Sequence, residues 1–550
     1  MQNIVKWWRS GSPWIWLNAG AVAISIVAVL SLLLLIMARG LGHFWPADIV
    51  EFTYNDPDYG EQRLIGELVR KESVNLEHFG QMDSSLASPI VERWLIKTGN
   101  RELNADFRWI DHARIKTQNI PEDLIVVERE EWGNFYGELL AVVENEQVLA
   151  QGETAWKVFL ERLERAEQLR EEITQIEQQE LGSINYRLEN LRLQRKKLAL
   201  DRAETPEILD ELTTEEAVLN GQLHVHMAKL ETLNAAIKRD SARFKTMDGR
   251  ELSIPLENII HAIKPNTMNV VEKSAEYAAA FWNFLSEDPR EANTEGGVFP
   301  AIFGTIMMVI IMSLIVTPVG IVAAVYLREY ASQGPITRIV RIAVNNLAGV
   351  PSIVYGVFGL GFFVYFLGGS IDKLFYPEAA PSPFLGTSGL LWASLTLALL
   401  TLPVVIVSTE EGLTRIPRNL REGSLALGAT KAETLWKVVL PMASPSIMTG
   451  LILAVARAAG EVAPLMLVGV VKLAPTLPVD GNFPFLHVER KFMHLGFHIY
   501  DVGFQSPNVE AAQPLVYATA FLLVLIIVAL NLSAILLRNR LSEKYRGVSA

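Results

Sequence analysis

The sequence predicts an all-α polytopic membrane protein with six transmembrane helices, joined to an α+β external domain that bears a long antiparallel coiled-coil hairpin. Three observations carry that reading. Half of the 550 residues are hydrophobic and the mean hydropathy is +0.23, too apolar for a typical soluble chain of this length. Charge is divided, with −19 on residues 41–300 and +7 on the remainder within a total of −12. Between 158 and 237, apolar residues recur at three- and four-residue steps, the spacing of a helical seam.

The first apolar run, Trp16 to Met37, contains no charge and is long enough to cross a bilayer core of about 30 Å as a helix. A cleavable secretory signal has an apolar core of only about 7–15 residues, so an uncleaved anchor is expected at 15–38. Five further runs lie at 300–327, 342–368, 386–408, 443–470 and 514–537. Lys and Arg in short flanks resist translocation. Lys6, Arg9, Arg328, Arg338, Arg341, the stretch Arg415 to Lys437 and the stretch Arg538 to Arg546 all share one side with the N-terminus. That side is expected to be the cytoplasm, holding both short tails, 1–14 and 541–550. The loops around 369–385 and 472–513 hold only Lys373, Lys472, Arg490 and Lys491. They and the insert 39–299 are therefore expected outside, in the periplasm of a Gram-negative cell, with the chain in the inner membrane.

Within the insert, 39–156 and 246–299 read as one small α/β region. Its β-prone runs are Asp123–Val127, Leu139–Val143, Gly249–Ile254 and Ile259–Ile263, set between turn residues. The hairpin occupies 157–245. Leu181, Ile184, Leu188, Leu191 and Leu198 line its first arm, with Arg195 interrupting, and Leu212, Leu219, Leu223, Leu230 and Ile237 line its second. Arms of roughly 40 residues rise about 60 Å, so the hairpin is expected to stand well clear of the membrane. His224 and His226, two residues apart, diverge on a helix and read as solvated rather than as metal ligands. Glu171–Glu172 and Arg195–Lys197 read as a solvated coiled-coil exterior, with docking of another protein as the alternative.

Between the fourth and fifth runs lies a basic loop, 410–441. It contains Glu422-Gly423-Ser424, then Gly428 after three positions, Val438 after nine more, one position, and Leu440-Pro441. This spacing resembles the EAA loop of binding-protein-dependent ABC importer permeases, with Gly423 and Ser424 where two Ala are usual and Val438 where Ile is usual. Small residues on a short helix allow close entry into a partner's groove. Gly428 is expected to end the first half of the loop, and Pro441 to restart the chain into the fifth span, since proline is tolerated in a first helical turn. The resemblance implies the fold of a type I importer permease, with the core at 300–540 and Glu422, Gly423, Ser424, Gly428, Val438, Leu440 and Pro441 docking an ATPase. A plain basic connector is the alternative.

Two more stretches resemble the phosphate-permease branch of that family: Gly349-Val-Pro-Ser-Ile-Val-Tyr-Gly356 and Ala456-Arg-Ala-Ala-Gly-Glu-Val-Ala-Pro464. The resemblance covers 15–38 and 297–550 and leaves out the insert. Val462 stands where the family usually has Thr. Arg457 and Glu461, four residues apart, are expected on one face of the fifth span. Intramembrane charges are functional by default, so the pair is a candidate substrate path, with mutual neutralisation at a packing interface as the bland reading. The resemblance further implies a heterodimer with a PstC-like permease, a dimer of PstB-like ATPases, a PstS-like phosphate-binding protein outside, and phosphate as the solute.

Other chemistries are disfavoured. The acidic insert would repel a phosphate backbone, so no nucleic-acid partner is expected. Without Cys there is no disulfide framework, thiolate metal site or cysteine nucleophile. No glycine-rich phosphate loop with its Lys is present, so no cofactor is expected on this chain, and ATP and Mg are assigned to the partner. No catalytic residue is nominated. A permease for another oxyanion, and a non-transporting scaffold or signalling protein that works through its hairpin, remain the competing functions.

Overall fold

The computed structural model describes residues 10–56, 60–75, 90–102, 106–506 and 509–546. The flank residues Lys6 and Arg9 lie outside the described residues. Among the described residues, six helices are long and apolar enough to cross a membrane: Trp14–Phe44, Phe299–Tyr330, Ser352–Phe375, Leu390–Arg415, Lys431–Gly460 and Ala512–Arg540. They are called the first to sixth spans below.

The fourth span is the axis of the membrane part. It is the most enclosed of the six, and its Leu397 and Val405 are buried with Met308 and Met312 of the second span and Ala454 and Ala458 of the fifth. Small residues let these helices close on one another, since lipid supplies no hydrophobic drive between apolar helices and packing must do so. A Cβ on Gly320 would stand 2.6 Å from Val405 Cγ1, and one on Gly450 would stand 2.7 Å from Ser408 Cβ. Buried hydroxyls in the fourth span satisfy themselves on the preceding turn, Thr396 donating to Trp392 O at 2.7 Å and Thr401 to Leu397 O at 2.8 Å. The first span has no buried residue in its apolar window. It leans on the sixth at Gly40, where a Cβ would stand 2.8 Å from Ala518 Cα.

Several span limits differ from the sequence reading. The third span begins at Ser352, not 342. Residues Pro335–Leu347 form a separate amphipathic helix, held on one side by Arg341 to Glu410 at 2.6 Å and exposing Ile336 and Ile339 on another. Pro351 separates the two helices, because the residue before a proline avoids the helical conformation. The fifth span ends at Gly460 rather than 470, and a short helix, Leu465–Val468, follows.

In the insert's small α/β region the helix is Val270–Ser286, and 39–156 is mainly β structure. Its strands are β1 (Ile49–Asp56), β2 (Gly60–Asn75), β3 (Ile90–Lys97), β4 (Phe107–Asp111), β5 (Ile115–Asn119), β6 (Leu124–Arg129), β7 (Phe135–Glu144) and β8 (Gln147–Gln151). The chain returns later as β9 (Asp240–Lys245), β10 (Glu251–Pro255) and β11 (Ile259–Ile263). One sheet runs β4-β3-β2-β1-β5 and the other β10-β9-β7-β6-β11, with β8 on β7. All their pairings are antiparallel. β11 on β6 and β9 on β7 tie the returning chain to the outgoing one.

Between β8 and β9 the chain forms two packed helical arms. The first runs from Ala155 to Asp201 through a wider π turn at Ile176–Leu181. The second is Pro206–Ile237, started by Thr205, whose hydroxyl accepts from Ile208 N. Ile184, Leu191, Leu212 and Leu219 are buried between them, each worth about 1.5–3 kcal/mol when fully removed from water. The arms do not stand clear of the membrane part. Phe159, Leu163 and Ala166 of the first arm are buried against Phe135 and Phe244 of the second sheet, and farther along Tyr186 donates to the carbonyl of Phe483 in the loop after the fifth span.

Candidate translocation site and docking loop

The two stretches singled out in the third and fifth spans meet. A Cβ on Gly356 would lie 2.7 Å from Pro464 Cα, so only glycine lets the third span come this close. Beside it Tyr355 is 4% exposed, donates to Leu347 O at 2.7 Å, and lies within reach of the Arg457 charge. Arg457 stands in the last turn of the fifth span, where the partial negative charge of the helix end favours a cation. Its Nε is 3.5 Å from Glu461 Oε1, and the two side chains are 33% and 22% exposed.

The pair is not a helical one. Glu461 has φ −82° and ψ 129°, so the helix stops between the two residues. Tertiary packing overrides the local pattern here: Pro464 is held against Gly356, and Val462 lies against Gly496, whose Cβ would be 2.6 Å from Val462 Cγ2. A cation at a helix end beside a carboxylate on extended chain, both half open, can offer guanidinium N–H groups to an anion while staying neutral in its absence.

At the insert end of the spans the sequence reading missed a buried polar knot. Asp501, 1% exposed, accepts from Lys472 Nζ and from Asn293 Nδ2, each at 3.0 Å. His498, 2% exposed, lies within reach of its charge, and His494, 0% exposed, caps the short helix that carries His498. Burial pushes both imidazoles down to about 4, and for His498 the carboxylate of Asp501 opposes that shift. Neither ring nitrogen of His498 has a partner among the described residues. The spacing His494, His498, Asp501 on one short helical stretch was the available signal.

On the opposite side, the loop between the fourth and fifth spans folds as a helix, Arg418–Ala426, followed by a left-handed residue. Gly428 has φ +89°. Its N–H donates to Leu425 O at 3.0 Å and that of Ala429 to Ser424 O at 3.2 Å, a glycine-terminated helix end. Glu422 and Gly423 are exposed, and Ser424 is half-buried through a 2.9 Å hydrogen bond to Thr434 Oγ1. Arg421 anchors the loop by donating to Leu413 O at 2.7 Å and Ile416 O at 3.0 Å and pairing with Glu329 at 2.9 Å. Pro441 stands in the first turn of the α-helix Leu440–Gly460, as expected, but helical backbone already precedes it. The fifth span is already helical from Lys431, and a π turn at Leu435–Val439 precedes the residue that has no N–H to give. Val438 and Leu440 are half-buried there. Leu427 is 91% and Trp436 74% exposed.

Residues 316–547 match the model of the family described as the binding-protein-dependent transport system inner membrane component. The chain belongs to that family and is a multi-pass membrane permease. Among its relatives, the phosphate transport system permease protein PstA of Mycobacterium leprae is 36% identical over 219 residues, 39% of this chain and 66% of that protein. PstA 1 of Mycobacterium tuberculosis is 34% identical over 245 residues, 44% of this chain and 71% of that one. The phosphate transport system permease protein PstC of Xylella fastidiosa is 32% identical over 209 residues, 36% of this chain and 64% of that one. The chain thus spans about two thirds of the length of these relatives, and the match to the family model leaves out the first span and the insert.

Proposed function

We propose that this chain is the PstA-like half of a type I ABC importer that moves inorganic phosphate inward, driven by ATP hydrolysis in partner subunits. The observation that carries the reading is the packing of Gly349–Gly356 against Ala456–Pro464 around Arg457. It brings both phosphate-permease-like stretches to one half-open cation, and relatives named as phosphate permeases support the choice of anion. Arg457 contacts the anion in passing, and Glu461 keeps that contact weak enough for release. The chain performs no chemistry of its own.

The loop 410–441 is the ATPase-docking element, with Glu422, Gly423, Ser424, Gly428, Val438, Leu440 and Pro441 at its contact. Support comes from Gly423, where no atom lies within 4 Å of a Cβ. Among the described residues nothing requires a glycine there, and close approach of a partner is the use assigned to it. Exposed Leu427 and Trp436 supply apolar anchors. The partners in this reading are a PstC-like permease, a PstB-like ATPase dimer that holds ATP and Mg, and a PstS-like phosphate-binding protein. The docking loop and both termini face the cytoplasm and the insert faces the periplasm, as the Lys and Arg bias demands. The seam between the two arms is an antiparallel coiled coil.

Deletion of the chain should abolish growth on limiting phosphate while growth on limiting sulfate or molybdate is unchanged. A defect on another oxyanion alone would reassign the solute, and no growth defect on any of them would favour a scaffold role.

A further inference from the structure

The helical pair of the insert does two things along its length. Its base belongs to the insert, with Phe159, Leu163 and Ala166 of the first arm and Ile237 of the second in the core of the second sheet. Its distal half leaves that sheet and rests on the membrane part. Tyr186 Oη donates to Phe483 O at 2.8 Å, the Tyr186 ring stands edge-on to His487 with centroids 5.7 Å apart, and Lys196 Nζ donates to Ala380 O. Tyr186, Asn190, Leu193 and Lys196 fall at helical spacing and are all half-buried, on a face distinct from the seam residues Ile184 and Leu191. His487 is itself fixed between Asp480 at 3.0 Å and Glu489 at 3.2 Å.

Ala380 belongs to the loop that leaves the third span, and Phe483 to the loop that leaves the fifth. The distal half therefore ties together the insert-side ends of the two spans that carry Tyr355 and Arg457. Among the described residues the polar contacts that do so are two hydrogen bonds, each of modest net worth because it replaces a bond to water.

The boundary between base and distal half is marked three times. The first arm widens to a π turn at Ile176–Leu181, a feature that gathers at functional sites. Gly182 follows it, and a Cβ there would meet only Glu177 O, at 3.8 Å. In the other arm Gly221 has nothing within 4 Å of a Cβ. Packing requires glycine at neither position, although glycine weakens a helix interior relative to alanine. Ion pairs Glu172–Lys229 at 2.6 Å and Arg195–Glu216 at 3.0 Å set the antiparallel run. The two glycines consequently stand at about the same level, two residues before buried Ile184 and two after buried Leu219.

We propose that the helical pair is a hinged strap. It bends at Gly182 and Gly221, rests on the loops after the third and fifth spans, and swings off them when those spans part during transport. This rests on the reading that the spans form an ATP-driven path.

The natural chain has no Cys, so Tyr186→Cys with Phe483→Cys creates its only thiol pair. In membranes holding the assembled transporter, a short reducible bis-methanethiosulfonate should join the two at rest, and the yield should fall several-fold after trapping with ATP and orthovanadate. Gly182→Ala with Gly221→Ala should keep the membrane level and the resting cross-link but blunt the fall. No cross-link at rest would remove the landing, and equal yields at rest and after trapping would make the strap a fixed brace. A full fall in the alanine variant would overturn the place of the hinge. Phosphate uptake by the same membranes is read separately: a yield that falls as expected without any uptake counts against the phosphate reading alone.

Discussion

Arg457 can be tested apart from its neighbours because its charge and its fork are separable. An ionised arginine at membrane depth costs a few kcal/mol on insertion scales, a cost offset here by the helix end and by Glu461 at 3.5 Å. Arg457→Gln should assemble and keep its ATPase yet lose phosphate uptake, and Arg457→Lys should fall between because it keeps charge without bidentate geometry. Loss of the assembled complex in the Gln variant would instead favour a structural pair. At the polar knot, His494 and His498 ionise near 4 when folded and near 6.5 when unfolded. Between those values the unfolded chain binds more protons, so stability is full above the upper one and declines as pH falls through the window. The loss is about 2 kcal/mol per histidine at about pH 5. Hydrogen exchange of residues 495–505, corrected for intrinsic rate, should quicken at that pH, and His498→Gln should reduce the effect; a pH-independent rate would mean that the imidazoles are not buried neutral.

At the scale of elements, the loop 410–441 separates two uses of glycine. Gly428 occupies left-handed backbone at φ +89°, so Gly428→Ala should strain the helix end by roughly 1–2 kcal/mol whether or not a partner is bound. Gly423 lies inside the helix Arg418–Ala426 with open space above it. Gly423→Trp should therefore leave the permease in the membrane and abolish co-purification of the ATPase, and normal co-purification would remove the loop from that role. The glycine-ended helix of the loop was legible in the sequence because its determinant is local, a glycine at 428 that takes left-handed backbone. The end of the fifth span was not, because it depends on Pro464 meeting Gly356, more than a hundred residues away in sequence. Nor was the landing of the helical arms, since Tyr186 and Phe483 are 297 residues apart in the chain. The six apolar runs were legible for a simple reason, that a charge-free stretch of that length has few places to go but the bilayer. The sheets were only half legible, since β4 and β5 are short and their partners set them.

For the whole molecule, orientation and solute are the claims that matter. Val225, 68% exposed on the second arm, gives a clean reporter in a chain without Cys. Val225→Cys should react with a membrane-impermeant maleimide once the outer membrane is permeabilised, and protection until the inner membrane is broken would invert the topology. The central claim is that the half-open Arg457 site, the docking loop and the spans between them form one half of a phosphate path. It is tested most directly by accumulation of radiolabelled phosphate in cells stripped of other phosphate importers, with and without this chain, in the presence of excess unlabelled sulfate or molybdate. The account predicts energy-dependent accumulation that requires the chain and is not displaced by the other oxyanions. Accumulation that is indifferent to the chain, or abolished by sulfate or molybdate, would contradict it.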